Sequence, residues 1–214
     1  MSYRLLQWLP ELAAAFKVTM IASVISIFAA VAWGCVLSCL VAFENKVVNA
    51  VISVYVSIFR NTPLLVVIFF FFFGLPYIDI VLPGMVCAVV SIALNEGAFV
   101  TEIIRGAMSN IPPGEVEAAK SLGLSRFQIA TKVIFPLAFR TSIPALAGQA
   151  SIVIKDTSLL SMIMIVEITR CGNLFYSKYF DSISIWIVGA LYVFLFIIFS
   201  AFGKYVEKRV QVRR

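Results

Sequence analysis

The chain has 214 residues, 62% of them hydrophobic, with a mean hydropathy of +1.02, against roughly 45–50% apolar in a soluble domain. That excludes a water-soluble globular protein, and the absence of any histidine excludes imidazole acid–base chemistry. The formal charge of +6 would suit nucleic acid in a soluble chain, but in a membrane chain the placement of Lys and Arg matters more than their sum.

About 20 apolar residues are needed to cross the ~30 Å hydrocarbon layer as a helix, and five runs meet that length: 13–41, 47–73, 81–104, 133–154 and 183–202. The first is too long for the roughly 7–15-residue core of a signal peptide, and no small-residue cleavage site closes it, so it is expected to stay as a span. Tyr3 and Trp8 ahead of it, with Tyr179 and Trp186 near the last run, are expected at membrane–water interfaces, where amphipathic rings are favoured. The second run holds Arg60, whose long stem lets its charge snorkel. It also holds five phenylalanines at 69–73, which spread round a helix and suit lipid contact and packing rather than one binding face.

Asn95, Glu96 and Gly97 lie in the middle of the third run. A carboxylate at that depth costs about 3 kcal/mol on insertion scales, so Glu96 faces either a transport pathway or a buried hydrogen-bond partner. Gly97 beside it lets a ligand or a second helix approach. Glu102 and Arg105, three residues apart, can pair on one helix face.

The segment 105–131, RGAMSNIPPGEVEAAKSLGLSRFQIAT, is a polar break between two apolar runs. Pro112 and Pro113 stop the preceding span, and a proline suits the first helical position because its missing N–H would be unpaired there. Glu115 and Glu117 then favour the positive helix end. Ala118, Ala119, Lys120 and Leu122 extend the helix, and Gly123 falls where a left-handed cap is expected. Ser125 and Gln128 form an S-x-x-Q capping box that starts a second helix leading through Ile134 into the fourth run.

Pro136, Arg140 and Pro144 interrupt the fourth run, and Arg140 can snorkel like Arg60. Lys155 and Asp156 adjoin Thr157, Ser158 and Ser161 at its end. That patch offers both an acceptor for an ammonium and donors for a carboxylate, as a zwitterion needs; an end-of-helix ion pair is the alternative. The cysteines Cys35, Cys39, Cys87 and Cys171 form no C-x-x-C, so no metal or disulfide framework is expected. Arg105, Lys120, Arg126 and Lys132 follow the third run, and Lys204, Lys208, Arg209, Arg213 and Arg214 follow the fifth. These segments are expected in the cytoplasm. The connection 74–82 has no basic residue, and 171–182 sets Lys178 against Asp181, so both suit the outer side. No internal repeat is evident, and symmetry is expected to come from assembly.

Glu117-Ala118-Ala119, Gly123 four residues on, and then Val133-Ile134-Phe135-Pro136 closely resemble the EAA loop of ABC importer permeases, with Val133 and Phe135 in place of the family's Ile and Leu. Ile58-Phe59-Arg60-Asn61-Thr62-Pro63-Leu64-Leu65 resembles the F-R-G-T-P-L-L segment of the polar amino acid branch, Asn61 replacing Gly. Glu102-Ile103-Ile104-Arg105-Gly106 resembles its A-E-I-I-R-G, Thr101 replacing Ala, and Lys155-Asp156-Thr157-Ser158-Leu159 matches its K-D-T-S-L. The resemblance runs from about residue 19 to the C-terminus and is to the histidine, glutamine, glutamate and arginine permease kind.

It implies an all-α membrane protein of about five transmembrane helices in the type I ABC importer permease (MetI-like) fold, N-terminus out and C-terminus in. Residues 1–214 would form one permease domain, with 105–131 as a cytoplasmic coupling loop, in a bacterial inner membrane. The implied function is alternating-access uptake of a polar amino acid. The implied partners are two ABC ATPase subunits, a second permease copy or sister permease, and an extracytoplasmic substrate-binding protein; nucleic acid is not among them. The chain would be non-catalytic and bind no cofactor or metal, with ATP and Mg on the ATPase; no G-x-x-x-x-G-K-[ST] phosphate loop is present. Glu117, Ala118, Ala119 and Gly123 are then the ATPase-coupling residues, and Asn95, Glu96, Asp156, Thr157 and Ser158 the candidates for substrate binding. A channel without ATPase coupling and a non-transporting scaffold subunit are the rival classes, and a channel has no reason to carry the coupling loop.

Overall fold

The computed structural model describes residues 2–211; Arg213 and Arg214 lie outside the described residues, as do the side chains of Tyr3 and Arg209. Among the described residues there is no strand. The helix α1 (Ser2–Val41) is followed by α2 (Lys46–Asn61), α3 (Leu64–Phe69), α4 (Gly84–Ser109), α5 (Pro113–Ser121), α6 (Arg126–Ile129), α7 (Phe135–Asp156), α8 (Ile168–Tyr179) and α9 (Ile183–Gln211). Among the described residues four stretches are long and apolar enough to cross a membrane: 4–41, 84–109, 126–163 and 183–206; α2 and α3 together also meet the test, bent by 102° at their break, as a broken span or a re-entrant loop.

That bend corrects the expectation of one continuous second span over 47–73. Pro63 lacks a backbone N–H and excludes a helical conformation at the residue before it; Thr62 is extended accordingly, at φ −98 and ψ 128. The carbonyls left open at a helix end must be satisfied within a membrane, and side chains do so here. Asn61 Nδ2 donates to the Ser57 carbonyl at 2.7 Å and Thr62 Oγ1 to that of Ile58 at 2.8 Å. Asn95 Nδ2, from α4, donates to the carbonyls of Phe59 and Thr62 at 2.8 and 3.3 Å. After α3 the five-phenylalanine block passes into a π-helical turn, Phe70–Gly74, with its rings aimed to several sides as expected and packed edge-on against one another.

The helix α1 runs parallel to α4. Ala22 packs with Ala88, Gly34 sits against Val100, and Gly97 against Trp33. In contrast α7 runs antiparallel to α9, with Ala147 against Gly203 and the Lys155 ammonium 4.9 Å from the centre of the Phe196 ring. The ends of α1, α4 and α9 therefore share the side of α5 and α6, which is the Lys- and Arg-rich side assigned to the cytoplasm.

Two expectations on the outer half are corrected. Residues 171–182 are not a loop, because α8 takes up most of them and packs between α1 and α9. Trp8 is consequently a core residue, 3% exposed, with its indole N–H donating to Cys171 Sγ at 3.1 Å and its ring 4.7 Å from that of Phe175. Trp186 is on the surface, 76% exposed. Tyr179 is half-buried, with Arg4 and Lys178 each 5.1 Å from its ring centre.

Candidate functional site

Two helical interruptions converge on α4 at the same height. The first is the α2–α3 bend, which Asn95 holds from α4. The second follows Asp156, where α7 gives way to a tight helical turn, Thr157–Ile163, and then to α8. Glu96 is about halfway along the 26-residue α4, roughly 18 Å from either end at 1.5 Å per residue. The end of α7 lies beside Phe196, about halfway along the 29-residue α9. Broken helices meeting near the bilayer midplane are a recurrent way of building transporter sites, because irregular backbone is tolerated there only against protein or a cavity.

Glu96 is 3% exposed. Its Oε2 accepts a short hydrogen bond from Gln149 Nε2 of α7, and its carboxyl lies near enough to that of Asp156 for the two to interact electrostatically. Two carboxylates this close repel unless a proton or a cation lies between them. The neighbouring Lys155 ammonium acts on Asp156 through its charge but lies over the Phe196 ring and forms none of the ion pairs among the described residues.

The other expected site residues fall in different places. Asn95 spends its amide on the α2 carbonyls. Thr157 is fully buried, and its hydroxyl donates to the Ile154 carbonyl at 2.6 Å. Ser158 is half-buried, with its carbonyl accepting from Ser161 Oγ at 2.7 Å. Sequence reasoning missed Gln149, although a lone glutamine inside the fourth apolar run was a signal of the same kind as Glu96. It also missed Glu167, fully buried at the start of α8. There the carboxylate accepts from the Thr169 and Arg170 amides at 2.8 and 2.7 Å and from Tyr192 Oη at 2.7 Å, tying α8 to α9.

Nearer the cytoplasm, Glu102 Oε2 pairs with Arg105 at 2.9 Å and lies 3.6 Å from Arg60. The three line a cavity of about 320 Å³ with Ser53, Ser57 and Asn61. The Arg60 guanidinium also lies 5.2 Å from the centre of the Phe99 ring.

The coupling segment is assembled by local chemistry. Pro113 opens α5. At its end the Gly123 and Leu124 amides donate back to the Lys120 and Ala119 carbonyls at 2.9 and 3.2 Å. This is the Schellman closure that requires a left-handed residue, and Gly123 provides it at φ +75. The Ser125–Gln128 capping box is reciprocal, at 3.3 and 2.9 Å. Glu117 and Ala118 face outward, whereas Ala119 is 4% exposed and seats α5 on its own chain. Leu122 at 80% and Phe127 at 63% exposed give this face apolar contact area. One side of the Phe127 ring is covered by Phe43, from the turn between α1 and α2, stacked at 5.5 Å and 13°.

Residues 24–212 match the family described as binding-protein-dependent transport system inner membrane component. The glutamine transport system permease protein GlnP of Escherichia coli (strain K12) is 34% identical over 207 residues, covering 95% of this chain and 94% of that protein. The nopaline transport system permease protein NocM of Agrobacterium fabrum is 34% identical over 206 residues, covering 89% and 84%. The L-cystine transport system permease protein TcyB of Bacillus subtilis is 36% identical over 162 residues, covering 75% and 69%. Among solved structures, an amino acid ABC transporter crystallised with histidines superposes with a TM-score of 0.86 at 25% identity over 96% of each chain. The MetNI methionine ABC transporter in an inward-facing conformation shares the fold, with a TM-score of 0.69 at 19% identity over 98% of this chain and 97% of that one.

Proposed function

The chain belongs to the family of binding-protein-dependent transport system inner membrane components and is the membrane-spanning subunit of an ABC importer; we propose that its cargo is a polar amino acid, held at the midplane where the two helical interruptions meet. The observation that carries this reading is the pair of carboxyls, Glu96 and Asp156, brought together on α4 and α7 beside Gln149. An ammonium between them relieves their repulsion and makes charge-assisted hydrogen bonds to both. Ser158 and Gln149 are the neighbouring polar groups for the rest of the cargo. Asn95 and Thr157 act from behind, holding the helix ends that shape the site. Glutamine, nopaline and L-cystine in the names of the relatives are in keeping with a small polar cargo.

An ABC ATPase and a substrate-binding protein are the partners that the family implies. We infer further that two ATPases act on two permease copies, identical or sister chains. Glu117, Ala118 and Leu122 would enter a groove on the ATPase while Ala119 and Gly123 keep α5 and its elbow in shape. ATP hydrolysis then belongs to the ATPase, and this chain converts its closure into a change of access, with cargo and nucleotide linked reciprocally.

The test is reconstitution of the full complex in liposomes. Glu117→Lys and Gly123→Pro are expected to abolish the rise in ATP hydrolysis that cargo and binding protein produce; an unchanged rise overturns the coupling assignment. Glu96→Gln is expected to raise the KM for uptake roughly tenfold or more, the factor of about 1.5–3 kcal/mol for a hydrogen bond to a charged group. An unchanged KM removes Glu96 from the site and leaves the coupling assignment standing.

A further inference from the structure

We propose that the stacked pair Phe43–Phe127 is a strut that carries motion of the coupling segment into α2, and so to the α2–α3 bend beside the cargo site. The proposal rests on the coupling role given above to α5 and α6. The backbone already joins that segment to α4 on one side and to α7 on the other, so both follow it covalently. The α1–α2 pair has no such connection. Its tie to α6 is the face-to-face contact of Phe43 with Phe127 at 5.5 Å and 13°.

The turn that bears Phe43 is hydrogen-bonded through to the start of α2. Ala42, Phe43 and Glu44 amides bond back to the Ser38, Leu40 and Val41 carbonyls at 3.1, 3.3 and 3.0 Å. Asn45 Oδ1 then caps α2 by accepting from the Val47 and Val48 amides at 3.0 and 3.2 Å. From there α2 is an unbroken 16-residue helix, about 24 Å long. Ile52 and Val56 on it pack with Leu37 of α1 and Ala98 of α4. Its far end is the bend that Asn95 holds, one residue from Glu96. The path is therefore a chain of direct contacts from the ATPase-facing helices to the midplane, with one stacked pair as its non-covalent link.

The experiment uses the reconstituted complex with ATPase and binding protein, and four variants: Phe43→Ala, Phe127→Ala, the double variant, and Phe43→Tyr. Three quantities are read: basal ATP hydrolysis, its rise with cargo and binding protein, and cargo imported per ATP. The expected result is that Phe43→Ala, which lies outside the coupling segment, leaves basal hydrolysis and the thermal midpoint of the complex near the parent values. The cargo-dependent rise should fall roughly two- to tenfold, the factor expected of an aromatic pair. The double variant should be no worse than either single one, because both remove the same contact. Phe43→Tyr, which keeps the stack, should restore the rise. Losses that add in the double variant, or a Phe43→Ala complex that is folded and fully coupled, overturn the strut. A loss that follows a drop in thermal midpoint, and that Phe43→Tyr does not rescue, overturns it as well. Glu117→Lys in parallel separates the two assignments: if it uncouples and Phe43→Ala does not, the strut fails alone, and if neither uncouples, the coupling role itself fails.

Discussion

Gly34 and Gly97 decide how closely α1 and α4 approach. A β-carbon at Gly34 would overlap Val100 Cγ1 and lie 3.0 Å from the Gly97 carbonyl oxygen. One neighbour is a β-branched side chain stiff at χ1 and the other is backbone, so neither can yield without moving a helix. Gly34→Ala is expected to cost about 1–3 kcal/mol through overpacking, read as a lower thermal midpoint of the purified complex. Gly189→Ala is the control, since no atom lies within 4 Å of the added carbon. Equal midpoints for the two variants would mean that α1 and α4 are not packed as described. Close approach through small residues is how helices associate in lipid, where apolar side chains gain little by leaving one oily surface for another.

At the scale of elements, the coupling segment combines local caps with a few buried residues, Ala119 and Ile129 among them. The helix α6 has only four residues before its π-helical continuation, and the Ser125–Gln128 box satisfies its first amides. Ser125→Ala is expected to lose about 1 kcal/mol of local stability, and amide hydrogen exchange over 125–131 should speed up roughly fivefold. Unchanged exchange there would show that tertiary contacts, not the box, hold α6. This segment was legible in the sequence because its determinants are local: Pro113, Gly123, and a serine and glutamine three apart. The Glu102–Arg105 pair was legible for the same reason. The α2–α3 bend carried an equally local signal in Pro63, yet the apolar run around it masked the break, because hydropathy measures suitability for lipid and not direction. Gln149 and Glu96 are 53 residues apart, and nothing in either neighbourhood specifies the other. Their meeting is set by how α4 and α7 pack, which a pattern of apolar residues on all sides does not encode.

For the whole molecule, the parallel and antiparallel helix pairs place the α1–α2 turn and the α8–α9 turn on opposite faces of the membrane. Phe180, 83% exposed, borders the outer turn, and Lys46, also exposed, borders the inner one. The four native cysteines, Cys35, Cys39, Cys87 and Cys171, are free and half-buried or buried, so they can be replaced before single cysteines are introduced. In intact cells a membrane-impermeant maleimide is expected to label Phe180→Cys at once and Lys46→Cys only after permeabilisation. The reverse pattern would invert the assigned orientation. The interface expectation for Trp8 failed at this scale, since burial depended on α8, which was read as a loop.

Trp8 also bears on how the chain is made. Its hydrogen-bond partner, Cys171, comes 163 residues later, and Phe175 later still. At about 5–20 residues per second the ribosome needs on the order of 10–30 s to supply them. Through that interval the indole lacks both its hydrogen-bond partner and its aromatic neighbour, and the membrane–water interface is a place where such a ring is favoured. The burial of Trp8 is thus completed only by residues of α8, so the first helix gains its full set of contacts late in synthesis.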